Sequence, residues 1–271
     1  MNIKRISTGI AGLDSLFRGG FIPSRSYLVR GEAGTGKTIA CLQFLLSGLK
    51  QREKAVYVTV DERPAEILQT AASLDWDLQR YVQEKSLVIL DASAYFSERA
   101  AGGSEKGADL QKIVSDLAAY AKRMEATRLV IDPVTPLILS GDSPARMQDV
   151  ARAFVHLLQS NLTTTNLISS HLPRGFDHDP TNGIEEFLAA GVLVLRVHQT
   201  NDQFTRTLTI KKMRGTAVEP NEYQFNIIQG HGVVLASPQF SPAAVESEAS
   251  FRGLEFFQLP KEAADKDPTP A

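Results

Sequence analysis

Cysteine is almost absent from this chain of 271 residues. The single one, Cys41, cannot form an intramolecular disulfide, and so low a content suits a reducing cytosol. It lies among Ala40, Leu42, Phe44 and Leu45, which marks it as a small core residue. Long apolar runs are missing too, so no stretch is expected to cross a membrane. The opening Met1-Asn-Ile-Lys-Arg-Ile-Ser-Thr8 lacks the apolar core of a signal peptide, and a cytoplasmic location is the expectation. There is no basic excess: 29 Lys and Arg face 31 Asp and Glu, for a net charge of -2. That balance, with a pI of about 6.2, argues against a nucleic-acid partner. The five histidines show no metal-ligand spacing, so no structural zinc is expected. Neither heptads nor an internal repeat is present.

What is present is one informative stretch, Ser26-Tyr-Leu-Val-Arg-Gly-Glu-Ala-Gly-Thr-Gly-Lys-Thr38. From Gly31 to Thr38 it fits G-x-x-x-x-G-K-[ST], with an apolar strand before it and an apolar helix after it. Gly31, Gly34 and Gly36 let the backbone turn tightly and aim its N–H groups inward. The helix opening at Lys37 adds the positive end of its dipole, so Gly31, Glu32, Ala33, Gly34, Thr35 and Gly36 form an anion cradle. Lys37 would reach the β- and γ-phosphates of ATP as a point charge, and Thr38 would place its hydroxyl on Mg2+.

The rest of the chain alternates. Gly12-Leu-Asp-Ser-Leu16 reads as a short helix running into the Gly19-Gly20 turn. Strand Ala55-Val-Tyr-Val-Thr-Val60 ends at Asp61-Glu62, and Pro64 opens a helix over 65–74. Strand 87–91, a polar loop over 97–107 and an amphipathic helix over 109–125 follow. Strand Arg128-Leu-Val-Ile-Asp132, a helix over 145–159, strand 166–170 and a Pro- and Gly-rich loop over 171–183 come next. Strands at 191–197, 204–210 and 223–227 have no long helix between them and read as an antiparallel extension. The fold class is therefore α/β, a mostly parallel sheet with helices on both faces and a C-terminal antiparallel extension. One domain over 1–258 is expected, with 259–271 as a disordered tail.

Ligands in such sheets bind at the carboxyl ends of strands. Asp132 ends an apolar strand there and could hold Mg2+ beside Thr38. Asp61-Glu62, expected on the strand beside the phosphate-loop strand, could orient and deprotonate the attacking water. The alternative is that they only begin the next helix, where acids are favoured. Lys211-Lys212-Met213-Arg214-Gly215-Thr216 is either edge protection of a strand or a source of charge for a neighbouring subunit's γ-phosphate. His171, after Ser169-Ser170, is either a γ-phosphate sensor or a structural histidine, and Trp76 is core or interface packing.

Taken together, Ser7-Thr-Gly-Ile-Ala-Gly-Leu-Asp14, the Gly-Gly turn, the phosphate loop, Tyr57-Val-Thr-Val-Asp-Glu62, Leu74-Asp-Trp-Asp77, Leu90-Asp-Ala-Ser93 and Lys211 to Thr216 resemble the KaiC family. These are RecA-like P-loop ATPases related to the cyanobacterial clock protein. The resemblance runs from Ile6 to Ile227 and implies a homohexameric ring with ATP at each interface. The family's paired carboxylates fall on Asp61 and Glu62, its trans-acting Lys and Arg on Lys212 and Arg214, and its interface nucleotide contacts extend to Met213 and Thr216. The clock protein has two such domains and this chain one, so a two-tiered ring from one chain is not expected. Where the clock protein's second domain phosphorylates itself, this chain has Glu186 and Phe187, neither of which accepts phosphate. The resemblance thus implies a regulatory or signalling ATPase without autokinase activity at that site, and a protein partner of unknown identity. Two other readings share the fold. One is a RecA/RadA-type recombination ATPase, whose candidate loop over 171–183 carries one Arg, Arg174, against Asp177 and Asp179, with Phe176 to stack on a base. The other is an ATP-dependent assembly scaffold or timer.

Overall fold

The computed structural model describes residues 4–93, 110–138, 144–172, 189–200, 203–219 and 221–236. All of them belong to the first of two units, Met1–Ser237; the second, Pro238–Ala271, lies outside them. The loop over 97–107, most of the loop over 171–183, Glu186, Phe187 and the tail also fall outside the described residues.

The strands are β1 (Ser26–Gly31), β2 (Ala55–Thr59), β3 (Leu87–Asp91), β4 (Arg128–Asp132), β5 (Thr165–His171), β6 (Gly191–Thr200), β7 (Gln203–Met213), β8 (Glu222–Ile228) and β9 (Gly232–Leu235). The helices are α1 (Leu13–Leu16), α2 (Lys37–Leu49), α3 (Pro64–Ala72), α4 (Leu78–Gln83), α5 (Leu110–Met124), α6 (Thr135–Ile138) and α7 (Pro144–Asn161). One sheet runs β3-β2-β4-β5-β1-β6-β7-β8-β9. Strands β3 to β6 in that order are parallel, and β7, β8 and β9 each pair antiparallel to the strand before.

Two expectations change here. Strand β2 does not lie beside the phosphate-loop strand: β4 and β5 stand between β2 and β1. Strand β6 is not part of the antiparallel extension on its inner side, because Tyr27–Gly31 pair with Gly191–Leu195 in parallel. The parallel strands read as unbroken apolar runs because both faces are covered. On β1, Tyr27 and Val29 enter one core with α2, α3 and α4, while Leu28 enters a second core with α5 and α7. Cys41 and Trp76 are both in the first core, and Trp76 Nε1 also donates to Gly230 O at 3.0 Å. Among the described residues no helix is long and apolar enough to cross a membrane.

A buried cation holds the amino edge of the sheet. Arg128 heads β4 and is fully buried. Its Nε donates to Glu53 Oε2 at 2.6 Å, and its Nη1 to Ser7 O, Phe44 O and Ser47 Oγ at 2.7, 2.8 and 2.8 Å. The guanidinium also lies 4.7 Å from the centre of the Phe44 ring. Burial raises the Glu53 pKa, but the Arg128 hydrogen bond and charge outweigh it and leave the carboxyl below its usual range. Removing one partner of a fully buried pair typically costs about 3–5 kcal/mol, and because Glu53 keeps 23% of its side chain exposed the cost here falls toward the lower end. Arg128→Ala is therefore expected to lower unfolding free energy by about that much in a denaturant titration. Because Glu53 is depressed, its share of the stability is present above the ordinary carboxylate pKa and fades as pH falls through and below it.

Candidate functional site

The phosphate loop leaves β1 at Gly31 and enters α2 at Lys37. Gly36 has φ +103°, a conformation that calls for glycine; a Cβ there would also press on the Ile227 Cδ1 methyl of β8 at 3.0 Å. Thr35 is buried and its Oγ1 donates to Glu32 O at 2.8 Å, which closes the loop on itself. The Lys37 ammonium bends over this loop and donates to Gly31 O and Glu32 O at 2.9 and 2.8 Å. Burial lowers the Lys37 pKa, and Asp132 pulls it partly back. An ammonium resting on two carbonyls can exchange them for phosphate oxygens.

Asp132 ends β4 and is 6% exposed. It shares a strand face with Val130, the face of α2. Its Oδ2 accepts from the Tyr57 hydroxyl at 2.6 Å, and its Oδ1 accepts from Ser169 Oγ. Burial and the Asp132 charge raise the Tyr57 pKa well above its ordinary value. Each carboxylate oxygen has two lone pairs, so these bonds leave Asp132 able to accept more. Carboxylate and hydroxyl oxygens are the hard donors Mg2+ takes, so the residue types at Asp132 and Thr38 fit that ion.

Asp61 and Glu62 follow β2 and precede α3. They do not start that helix. It begins at Pro64, and Glu66 accepts from Arg63 N at 2.8 Å as its cap. Both carboxylates instead feel the charge of Asp132. Burial raises both pKa values, and the Asp132 charge is the next cause for each. The register explains it: Thr59 lies opposite Asp132, so the β2 and β4 ends are side by side although β2 is far from β1. The backbone of Glu62 is also pinned. Thr59 Oγ1 donates to Glu62 O at 2.6 Å and accepts from Glu62 N at 3.3 Å. Gly31 lies opposite His171 on β5, and His171 N donates to Thr135 Oγ1 at 2.7 Å. The carboxyl edge thus collects the phosphate loop, Asp132, Asp61, Glu62 and His171.

Lys212, Met213, Arg214 and Thr216 are not brought there. Met213 lies opposite Gly191, and Gly191 lies opposite Tyr27. Arg214 N donates to Ala190 O at 2.7 Å, and Ala190 N to Ser26 O at 2.8 Å. The turn therefore sits at the amino edge, the full length of β1 away from the phosphate loop, which is about 17 Å at the usual rise per residue. Gly215 at φ +73° makes the turn. Arg5 braces it, donating to Thr216 Oγ1 at 2.6 Å and to Gly215 O at 3.2 Å.

A family model described as "ATPase: KaiC" matches residues 6–239. The chain belongs to the KaiC ATPase family. Among curated relatives, the circadian clock oscillator protein KaiC of Parathermosynechococcus lividus is 33% identical over 228 residues, 83% of this chain and 41% of that protein. KaiC of Prochlorococcus marinus subsp. pastoris is 32% identical over 240 residues, 87% of this chain and 46% of that one. The chain thus spans less than half the length of these relatives. A crystal structure of a KaiC-like protein from Pyrococcus horikoshii OT3 matches with a TM-score of 0.73 at 28% identity, covering 87% of this chain and all of that one. The sheet order and the KaiC family match together make this a RecA-like ATPase domain. Sequence reasoning missed the Tyr57 and Ser169 bonds to Asp132 and the Thr59 clamp on Glu62. Only the run of hydroxyl residues at strand ends hinted at them.

Proposed function

We propose that this KaiC-family domain binds Mg-ATP and hydrolyses it at the interface between copies of itself, in a homohexameric ring. One observation carries the reading. The Lys212–Thr216 turn stands at the opposite end of the sheet from the phosphate loop of its own chain, which supports a part for its cations at the site of another copy.

In this reading Gly31 to Thr38 hold the triphosphate and Lys37 moves from its two carbonyls to the β- and γ-phosphates. Thr38 and Asp132 would hold Mg2+, which when bound would neutralise charge on the phosphate oxygens. Glu62 orients a water and takes its proton as the water oxygen attacks γ-phosphorus. The bond from γ-phosphorus to the bridging oxygen breaks, and ADP leaves with inorganic phosphate. Lys212 and Arg214 of the adjoining copy balance the charge that builds on those oxygens. The lowering of the Lys37 pKa and the raising of both carboxylate pKa values fit a partly desolvated edge, where such charge effects are strong. Glu186 and Phe187 offer no acceptor at the clock-type phosphosite, which supports hydrolysis to water over autophosphorylation there.

The test is mass against nucleotide. Light scattering in Mg-ATP is expected to give a closed oligomer of six, alongside steady phosphate release. A monomer that turns over ATP at full rate would overturn the interface reading.

A further inference from the structure

Asp132 is held from both sides by neutral hydroxyls. Tyr57 reaches it from β2 and Ser169 from β5, the two strands that flank β4. All three side chains lie on the α2 face of the sheet: Tyr57, Val130 and Leu167 belong to that core, and Asp132 and Ser169 are two residues on from Val130 and Leu167. Tyr57 is fully buried in an apolar layer with Ala55, Leu42 and Leu45. A hydroxyl in such a place is costly unless it is paired, and a phenylalanine would fill the same space. Among the described residues, this hydroxyl donates to Asp132 Oδ2.

The consequence is rotational. A carboxylate at a strand end can turn about its last bond, and a ligand that turns loses affinity when it must be fixed on binding. Two donors from opposite sides, one on each oxygen, fix the carboxylate plane before any metal arrives. Partners of this kind around a metal ligand typically carry about 10–100-fold in metal affinity or activity. We propose that Tyr57 is a positioning residue for Mg2+, acting through Asp132 with Ser169 as its counterpart, so that the β2 strand that leads to Asp61 and Glu62 also sets the geometry of the metal. The inference rests on the assignment of Mg2+ to Thr38 and Asp132 given above.

The hydroxyl alone is removed in Tyr57→Phe. The readout is binding of a fluorescent ATP analogue to the full chain, titrated with Mg2+ from an EDTA-containing start. Tyr57→Phe is expected to raise the Mg2+ concentration at half-maximal enhancement by about 10-fold, and to leave binding in EDTA unchanged. Ser169→Ala, which strips the donor from the other oxygen, is expected to move the same way. It tests the idea by itself should the tyrosine variant fold poorly. A role in packing alone would lower the melting temperature and leave the Mg2+ midpoint where it was. Three outcomes are distinct. A shifted midpoint in folded variants supports the inference. A wild-type midpoint that neither variant moves overturns it and leaves the metal site standing. Binding by the wild type that ignores Mg2+ overturns the metal assignment and the inference with it.

Discussion

Arg214→Ala stops phosphate release, by about 10³–10⁵-fold if it acts as an arginine finger, while ATP binding stays close to wild type. The expectation follows from position. Arg214 is joined through Ala190 to Ser26, at the start of β1, whereas the phosphate loop follows the end of β1 at Gly31. No rotamer spans that strand, so the side chain cannot lower the affinity of its own site by contact. In the proposed ring, its loss is expected to be felt where charge builds on the γ-phosphate of the next copy. A mixing experiment separates this from a folding defect. Lys37→Ala subunits bind nucleotide poorly but still lend Arg214; Arg214→Ala subunits bind nucleotide but lend nothing. Each alone is expected to be inactive, and a mixture to recover a fraction of the wild-type rate at the junctions where an intact loop meets an intact turn. A mixture as inactive as its parents would remove the trans-acting role.

The alternating βα units were legible in the chain because each depends on local pattern: period-two or unbroken apolar strands, 3.6-period helices, and glycines where the loop must turn. Strand order is another matter. Nothing in Ala55–Thr59 says that β4 and β5 will insert between it and β1, since that choice is made by contacts far away in sequence. The expected neighbour relation was therefore wrong, yet Asp61 and Glu62 still meet Asp132, because β2 adjoins β4 instead. The direction of β6 was readable in principle. Residues 172–190 separate it from β5, long enough for the crossover that a parallel pair requires, but its lack of a following helix drew it into the antiparallel set. The side-chain clasps were not readable at all. Arg128 looks like the polar start of an apolar strand until Glu53, Ser7 and Phe44 are seen around it. Tyr57 looks like one more bulky strand residue. The KaiC-like segments outside the phosphate loop turn out to have structural jobs that explain their residue types. Ser7 and Thr8 donate through their hydroxyls to the two oxygens of Asp14, both at 2.6 Å, and Trp76 ties α4's approach to Gly230 on the β8–β9 hairpin.

The second large effect is expected at Glu62, and it separates two carboxylates that sequence left equal. Glu62→Gln slows phosphate release by about 10²–10⁴-fold, the usual contribution of a positioned base, and Asp61→Asn costs less. The reason is the Thr59 clamp: a main chain held at both N–H and C=O fixes the direction in which its Cα–Cβ bond leaves, and Glu62 has that restraint. A stability signature accompanies the kinetic one. Burial comes first and the Asp132 charge second in holding the Glu62 pKa above its ordinary value, with Glu66 and Asp61 adding to it. A carboxyl raised on folding favours the folded state fully only below its unfolded pKa, and that stability is lost as pH rises through the folded value. At neutral pH and without Mg2+ the ionised Glu62 therefore works against the fold, and a neutral glutamine relieves it. The variant is expected to melt above wild type at pH 7, and the gap is expected to close as pH falls below about 4, where both proteins are neutral at this position. Thermal melts across that range, run beside phosphate release, check both halves. A glutamine that melts lower at pH 7 would point to a structural role for Glu62, and retained hydrolysis would move the water to Asp61.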